Sequence, residues 1–501
     1  MTKILFGATL LCVVIILAGI NRGFDISDEG LYLLLANPLQ QNQAGIFNYD
    51  LFFKAIFKVT GYSFSLIELR ILRLLGYGMA AWALMGFWKN ISNQAKAKTE
   101  IFWLSCLGLF TGYGFLPPTT SYNSLTVVLT CFWLFLMTKE EKSFRRILGL
   151  GVLLAIWIYV KISLVFVFFP LTLLILIFWQ KVKPIYVLGL LLPMIFSELF
   201  FLTFLDENAW LRLQDGIPLN TQRNGYQYFL MLKNIAVGGF WSFSMGLLFM
   251  GIGYFRKSES SLYPALKLIT AYFSLLIAFL THITDECNHL FLLAAAAFLG
   301  YQLGVGAFKP SKTNLWILLL LILPFLLHFG SNVYWLRIGI HYLVFWILAA
   351  RWILKDLKWE LNLASLLICL LLVFNGIWWH PFGHEKPLWS QKVPWHMEDG
   401  TQLFLDPDLV DIVSEIKEFK IQYSKAEVLA AYRIPGLSFL AGSTLPISPA
   451  IWDKSQVNAQ FSGKPKMMIY NKFEDLPESW SFRYQKELGV FRSDTLLLLW
   501  D

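Results

Sequence analysis

The side chains best suited to chemistry lie in one short acidic segment, directly after the first apolar run of the chain. Asp25, Asp28 and Glu29 fall within five residues there, and Tyr32 follows them. Carboxylates beside hydrocarbon are costly to keep without a function or a partner. A carboxylate within hydrogen-bond reach of an acceptor hydroxyl or amine can act as its general base. The simpler interpretation is that these acids stabilise the start of a short helix near Gly30, where negative charge is favoured.

Basic side chains that could bind a phosphate lie at the ends of other apolar runs. Arg70 and Arg73 stand at the start of the second run, and Lys161 separates two later runs. A guanidinium can bind a phosphate or a carboxylate through two parallel hydrogen bonds. The simpler interpretations are that Lys161 extends its amine to the membrane surface and that one arginine pairs with Glu68 or Asp50.

A third polar cluster lies between two apolar runs, in residues 281–289. It contains His282, Asp285, Glu286 and His289. Two imidazoles and two carboxylates could bind a divalent metal, but their spacing matches no HExxH-type motif. The sequence therefore favours a hydrogen-bonded loop, and no residue is assigned as a metal ligand. His289 could equally bind the phosphate of a donor.

Most of the chain must have lipid as its solvent. Of its 501 residues, 57% are hydrophobic and 15% are charged, whereas soluble domains carry about 25% charged residues. The formal net charge of +8 would suggest nucleic acid as a partner of a soluble protein. Here the basic residues cluster between apolar runs, as in the cytoplasmic loops of inner-membrane proteins. Nucleic acid is therefore not an expected partner, and the five cysteines, which lack CxxC spacing, indicate no disulfide framework.

Apolar runs long enough to cross about 30 Å of hydrocarbon predict thirteen membrane spans. These are residues 4–20, 66–88, 100–116, 123–138, 147–160, 163–180, 184–204, 235–254, 262–281, 289–306, 314–330, 338–354 and 361–378. Residues 147–180 would reach about 50 Å as one straight helix, so we expect a hairpin with Lys161 near its tip. With the N-terminus in the cytoplasm, this count places most of the loop lysines and arginines inside, as the positive-inside rule requires.

Two longer outer loops are expected between these spans. The first, residues 21–65, contains two short apolar runs at 31–36 and 51–59 that suit helices lying in the membrane interface. The second, residues 205–233, is polar, and loops of that length on a compact bundle are often functional. It carries Arg212, Arg223 and Asn224.

The composition after residue 378 becomes that of a soluble domain. Asp406 and Pro407 have the pattern of a helix start, and strand-like runs follow at 428–432, 467–470 and 495–500. The predicted fold is therefore an α-helical integral membrane module, residues 1–378, with about thirteen transmembrane helices. A small extracytoplasmic α/β domain, residues 379–501, is expected to follow it.

Taken together, these motifs resemble the GT-C superfamily of membrane glycosyltransferases, which use lipid-linked sugars. The resemblance rests on the Asp28-Glu29 pair in the first outer loop, an arginine at the start of the second span, and Lys161 before an apolar run that reaches Pro170. Residues 117–123 also have the Pro-then-Tyr-Asn pattern of bacterial members. Protein O-mannosyltransferases and the aminoarabinose transferases of lipid A are the most similar families by pattern. The aminoarabinose transferases carry a Glu-Lys-Pro run in the first loop, and residues 21–65 lack it, which argues against that substrate.

The resemblance implies a catalytic role for the acid pair, with Asp28 as the base and Glu29 beside it. It also implies that Lys161 and one or both of Arg70 and Arg73 bind the donor phosphate, and His289 is a further candidate for this. The remaining polar residues of the outer loops are expected to line the cavity. These are Asp25, Tyr32, Tyr49, Asp50, Tyr122, Asn123, His282 and Asp285.

The expected activity is transfer of a sugar from a polyprenyl-phosphate donor to a lipid, glycan or protein acceptor, with inversion at the anomeric carbon. It would occur at the outer face of a bacterial cytoplasmic membrane, among membrane lipids. No cofactor is certain, although some members of the superfamily use a divalent cation. One alternative is a transporter or flippase of lipid-linked glycans, which would usually place acids in mid-span and contain internal repeats. Another is an enzyme like an O-antigen ligase or polymerase, and a non-catalytic assembly protein is a third.

Overall fold

The protein is mostly helical and has a small sheet region near its C-terminus. The computed structural model describes residues 1–43, 45, 47–92, 98–141, 143–221, 228–283, 287–309, 311–331, 334–423 and 428–501. Within these ranges, seven helical segments are long and apolar enough to cross a membrane. Such segments are typical of a multi-pass membrane protein.

In the described part of the chain, sixteen α-helices precede the sheet region. They are α1 (Thr2–Ala18), α2 (Asp28–Ala36), α3 (Asp50–Thr60), α4 (Leu66–Ser92), α5 (Lys98–Phe110), α6 (Tyr122–Thr138), α7 (Phe144–Leu174), α8 (Pro184–Val187), α9 (Leu191–Leu205), α10 (Ala209–Thr221), α11 (Tyr228–Lys257), α12 (Tyr263–Leu280), α13 (Leu290–Gly304), α14 (Lys312–Leu327), α15 (Gly339–Ile353) and α16 (Lys358–Phe374). Single turns of π-helix, Ile175–Trp179 and Asn375–Trp379, continue α7 and α16.

Each of the thirteen apolar runs identified in the sequence coincides with one of these helices or with half of α7. Helices α1, α6 and α14 and residues His341–Ile353 are apolar but shorter than the seven long segments. The described helices are thus compatible with a multi-pass membrane protein, and the count of thirteen spans stays a prediction.

Helix α7 is a hairpin rather than a straight rod. Lys161 has a non-helical backbone (φ −159°, ψ 88°). The Arg146 guanidinium donates to Gln180 Oε1 at 2.7 Å, although 34 residues of straight helix would separate them by about 51 Å. The rings of Trp157 and Phe168, eleven positions apart, are 4.4 Å from each other. The chain therefore reverses at Lys161, as the sequence predicts.

Polar side chains fix the starts of several helices, because the first N–H groups of a helix have no partner within it. Ser121 caps α6 and exchanges hydrogen bonds with Ser124, so the alternative that Asn123 caps this helix is wrong. Ser143 caps α7, and Ser311 caps α14. These caps set where each apolar helix leaves its loop.

Residues 21–65 form a helix over each of the two short apolar runs, as the sequence predicts, while the place of these helices in a membrane interface stays a prediction. Helix α2 covers the first short apolar run, and α3 covers the second and ends at Gly61 in left-handed backbone (φ 72°). The loop of residues 205–233 is not free of structure, because α10 occupies much of it. Its Arg223 and Asn224 lie outside the described residues.

The C-terminal region contains helices and a small sheet, as the sequence predicts. Its helices are α17 (Pro407–Gln422), α18 (Pro435–Leu440) and α19 (Lys454–Gln460). Its strands are β1 (Val393–His396), β2 (Gln402–Leu405), β3 (Val428–Ala431), β4 (Met467–Asn471), β5 (Tyr484–Phe491) and β6 (Asp494–Trp500). One sheet has the order β3-β4-β6-β5 with only β3 and β4 parallel, and β1 pairs with β2. The Asp406 carboxylate accepts from the Asp408 N–H at 3.0 Å and caps α17.

The first outer loop and the C-terminal domain share one hydrophobic core. Phe24 and Ile26 of the acidic segment belong to the same buried cluster as Val413, Leu429 and Ile469. The backbones also bond directly, since the Gly23 N–H donates to the Phe404 carbonyl at 2.9 Å and the Gly436 N–H to the Ile26 carbonyl at 2.7 Å. The acidic segment is therefore held between the membrane helices and the C-terminal domain.

The close approach of α2 and α18 requires glycine on both sides. A Cβ on Gly436 would lie 2.6 Å from Ile26 Cα, and one on Gly30 would lie 2.3 Å from Gly436 Cα. Because the contacted atoms are backbone, we expect Gly436→Ala to destabilise the packed domain by about 1–3 kcal/mol. Gly463→Ala is the matched control, since no atom lies within 4 Å of its added Cβ. Thermal unfolding of the purified full-length chain tests this, and equal midpoints for the two variants would contradict the packing described.

Candidate functional site

Asp25 caps the helix on which the acid pair lies. Its Oδ2 accepts from the N–H groups of Asp28 at 2.7 Å and Glu29 at 3.2 Å, and its Oδ1 accepts from Ser27 N–H at 3.3 Å. A carboxylate at this position satisfies N–H groups that α2 leaves without partners. The capping role that the sequence allowed for any of the three acids therefore belongs to Asp25.

Glu29 and Arg70 form a buried, two-pronged ion pair. Arg70 Nε donates to Glu29 Oε1 at 3.0 Å and Arg70 Nη2 to Oε2 at 2.8 Å. The Thr119 hydroxyl donates to the same carboxylate at 2.6 Å. The other N–H groups of Arg70 donate to three backbone carbonyls, those of Ile20, Arg22 and Gly23, at 2.6, 3.1 and 2.8 Å.

All five N–H groups of the Arg70 guanidinium are used by these contacts. None is left for the donor phosphate that the sequence assigned to Arg70. The Glu29 carboxylate is likewise engaged by Arg70 and Thr119. The geometry of both residues is that of an anchor, which ties the acidic segment to the start of α4.

Asp28 differs from the two neighbouring acids. Its side chain is half-buried, and its carboxylate forms no hydrogen bond or ion pair with any residue in the described part of the chain. Burial raises the pKa of Asp28, while the charges of Arg492 and then Arg433 oppose the rise. Of the three acids, Asp28 is thus the carboxylate whose oxygens remain available.

The C-terminal domain supplies the two arginines that face this acid. Arg492 and Ser493, both with positive φ (48° and 72°), form the tight turn between β5 and β6. The Arg492 guanidinium lies 3.6 Å from Asp25 Oδ1. Arg433 follows β3 and stacks over Phe473 at 4.1 Å. The strands of this domain thus bring positive charge to the acidic segment.

Asp25 is also enclosed by the loop that follows α16. Gly383 adopts left-handed backbone (φ 77°), and a Cβ there would lie 2.0 Å from Asp25 Oδ1. Burial, and then the charge of Asp28, raise the pKa of Asp25 to about 7, although Arg492 opposes this. Asp25 and Asp28 therefore compete for ionisation, as two close carboxylates do.

Tyrosine side chains extend from Asp28 into the bundle. Burial and then the charge of Asp28 raise the pKa of Tyr32 well above its usual value. The Tyr32 and Tyr122 rings are 6.1 Å apart, and Tyr49 lies near both Tyr122 and Asp28. Tyr122 in turn lies within electrostatic range of Tyr342 on α15. These predicted cavity residues are thus brought together.

The tyrosines lead to a basic cluster, which consists of Arg73, Lys161, His328 and His341. The His328 and His341 rings are 5.9 Å apart, and the Tyr342 ring lies 5.0 Å from His328. The charges of Arg73 and Lys161 both act on His341, and that of Lys161 also acts on His328. Arg73 and Lys161, predicted from sequence to bind phosphate, therefore lie in one neighbourhood.

The basic cluster has no acidic counterpart within the described ranges. Lys161 donates to the Leu327 carbonyl at 2.9 Å, and Arg73 stacks over Tyr113 at 4.1 Å and donates to the Pro117 carbonyl. Neither cation forms an ion pair with a described carboxylate. The Nδ1 atoms of His328 and His341 and the hydroxyls of Tyr113 and Tyr342 are buried without a described hydrogen-bond partner. Such an arrangement suits an anion that also accepts hydrogen bonds.

Asp50 belongs to a separate ion-pair network. Its Oδ1 lies 2.7 Å from Arg212 Nη1, and its Oδ2 lies 3.1 Å from Lys54 Nζ. Asn42 Nδ2 donates to the same carboxylate at 3.0 Å. Arg212 also pairs with Glu207, so this network connects the first outer loop with α10. Asp50 thus holds the first outer loop against α10.

The remaining predicted site residues are more dispersed. Asn123 is buried in the first turn of α6, next to Tyr122. His289 is buried with its ring 5.2 Å from that of Trp335, whereas His282 is exposed. Asp285 and Glu286 lie outside the described residues. Within the described ranges, no group of three or more metal-ligating side chains is close enough to hold a metal ion, so the divalent cation stays an untested prediction.

Compared with models of known protein families and with curated proteins, the chain matches none. The resemblance based on residues 25–32, 70–73, 117–123 and 161 therefore stays a prediction. The function of the site is therefore inferred from its own contacts and charges.

Breaking the buried pair should destabilise the acidic segment. In Glu29→Gln, the neutral side chain leaves the Arg70 charge buried and unpaired, which typically costs about 3–5 kcal/mol. Glu385→Gln, at an exposed acid without a described partner, is the control and should unfold like wild type. Denaturation of the purified full-length variants measures this difference. A Glu29→Gln protein as stable as the control would show that the pair is not an anchor.

Proposed function

We propose that this chain is an integral-membrane glycosyltransferase of the GT-C type. It transfers a sugar from a polyprenyl-phosphate donor to a lipid, glycan or protein acceptor at the outer face of a bacterial cytoplasmic membrane. The observation that carries the proposal is one available carboxylate, Asp28, linked by tyrosines to a buried basic cluster without a described acidic partner. The proposed topology has thirteen spans, a cytoplasmic N-terminus and an extracytoplasmic C-terminal domain.

In the proposed reaction, Asp28 is the general base. The acceptor oxygen or nitrogen attacks the anomeric carbon as Asp28 takes its proton. The bond from that carbon to the phosphate oxygen breaks, and polyprenyl phosphate leaves with the electron pair. Attack on the face opposite the leaving group inverts the anomeric centre. The raised pKa of Asp28 makes it a stronger base than an exposed aspartate.

The basic cluster is the proposed site for the donor phosphate. Buried cations without a counter-ion are costly in a membrane protein, and a phosphate supplies the missing negative charge. Lys161 stands at the tip of the α7 hairpin, and Arg73 lies one turn from Arg70 near the start of α4. The phosphate would therefore bind near one end of the bundle, with its polyprenyl tail along the apolar helices.

The neighbouring charged residues are proposed as positioning residues. Asp25 fixes the start of α2, and the Glu29–Arg70 pair fixes that helix to α4. Arg492 and Arg433 favour the ionised form of Asp28, because both of their charges lower its pKa. This division of roles replaces the assignment of Glu29 and Arg70 to the reaction itself.

The base is tested by Asp28→Asn, which keeps the size of the side chain but removes its basicity. We expect transfer to fall by about 10²–10⁴-fold without a change in membrane insertion or thermal stability. The measurement is the mass analysis of lipid-linked sugars in a deletion strain that carries wild type, Asp28→Asn or Asp411→Asn. Asp411 is an exposed acid without a described partner, so its variant should clear the accumulated donor as wild type does. Clearance by Asp28→Asn as well would exclude Asp28 as the base.

The role of Arg492 is tested by the pH dependence of transfer, with lipid-linked sugar purified from the deletion strain as the donor. The rate should rise with pH as Asp28 loses its proton. Because the Arg492 charge lowers the pKa of Asp28, Arg492→Gln should move this acid limb to higher pH. Arg483→Gln, at an exposed arginine of the same domain, should leave it in place. An unchanged or lowered limb in Arg492→Gln would contradict the proposed role.

A further inference from the structure

A second basic site lies at the other end of the bundle from the acidic segment. It is a pocket of about 390 Å³ between α4, α13, α14 and α15. Its lining includes the polar side chains of Gln302, Lys309, Asn314, Arg351 and Lys355 and the indoles of Trp88 and Trp352. None of the residues that line it is acidic.

The position of the pocket follows from α4. Arg70, near the start of this helix, contacts the acidic segment, and Trp88, near its end, lines the pocket. The 18 residue steps from Arg70 to Trp88 span about 27 Å of helix, close to the roughly 30 Å thickness of the hydrocarbon core. The pocket therefore opens at the opposite membrane surface. Trp88 and Trp352 are residues typical of that interface.

Some cationic groups of the pocket have no ion-pair or hydrogen-bond partner within the described part of the protein. Lys309 and Lys355 are exposed and form no ion pair with a described residue. Arg351 is buried, and its Nη2 lies 3.1 Å from Glu100 Oε1. Its Nε is buried without a described hydrogen-bond partner. A buried N–H donor and two unpaired ammonium groups thus line one cavity.

The other polar groups shape this pocket without neutralising it. The Trp352 indole N–H donates to Asn314 Oδ1 at 3.2 Å, and Asn314 Nδ2 donates to the Lys309 carbonyl at 2.8 Å. These bonds connect α14 and α15 and fix the backbone that carries Lys309. Apart from the Glu100 partner of Arg351, the charged groups at this pocket are all cationic, and Gln302 and Asn314 add neutral amides.

From these features we infer that the pocket binds a phosphate-bearing anion, namely the headgroup of an anionic phospholipid. The two unpaired ammonium groups match the phosphate charge, and the Arg351 Nε–H adds a hydrogen-bond donor. The two tryptophans match the glycerol and upper acyl region at the membrane surface. The site is independent of the proposed transfer reaction, because it lies a membrane thickness away from Asp28.

The test uses the purified full-length protein in detergent with three probes. They are phosphatidylglycerol, phosphatidylcholine as the zwitterionic lipid, and inorganic phosphate. Binding is measured by native mass spectrometry and by the shift in unfolding temperature as each probe is titrated. Lys309→Gln/Lys355→Gln removes the two unpaired charges, and Lys181→Gln/Lys183→Gln removes the same charge from exposed lysines of another loop.

We expect phosphatidylglycerol to bind wild type and the control equally, and phosphatidylcholine to bind both weakly. The pocket variant should bind phosphatidylglycerol about thirtyfold more weakly, because each lysine near the membrane surface contributes a factor of about five. Its unfolding temperature without lipid should match wild type, because both lysines are exposed. Inorganic phosphate that displaces the lipid would identify the free anion as an additional ligand of the same site. Equal phosphatidylglycerol binding by the pocket variant and the control would overturn the inference.

Discussion

The buried ion pair between Glu29 and Arg70 is the interaction on which the arrangement of the site depends. It joins the first outer loop to α4 inside the protein, at a place where either charge alone would be strongly unfavourable. The three carbonyls bound by the same guanidinium fix the chain between α1 and α2. Since this loop shares a core with the C-terminal domain, the pair also fixes where that domain sits relative to the membrane helices.

Around this anchor, three neighbouring acids have three different environments. Asp25 is occupied by backbone N–H groups and Glu29 by Arg70, which leaves Asp28 available. The C-terminal domain contributes to the electrostatics of Asp28, because its Arg492 and Arg433 oppose the effect of burial on the pKa of that acid. The domain is thus part of the candidate site rather than a separate appendage.

Local patterns in the sequence predicted the elements well but not the pairing of side chains. The apolar runs identified the helices, and the length of residues 147–180 together with Lys161 identified the hairpin, because these depend on nearby residues. The sequence assigned Glu29 to catalysis and Arg70 to phosphate binding. Their pairing with each other is visible only in the folded chain, because it joins residues that are distant in the sequence. Arg492, Arg433, His328 and His341 were missed, since their proximity to the site arises from strand pairing and helix packing between distant segments.

The central claim is that one carboxylate and one buried basic cluster act on the two sides of the same lipid-linked sugar. It is tested most directly by a cryo-electron microscopy structure of the full-length protein with its accumulated polyprenyl-phosphate sugar bound. We expect the phosphate to lie within hydrogen-bond distance, about 3 Å, of Lys161 and Arg73, with Asp28 facing the anomeric carbon from the opposite side. A phosphate bound away from both cations, or an anomeric carbon remote from Asp28, would contradict it.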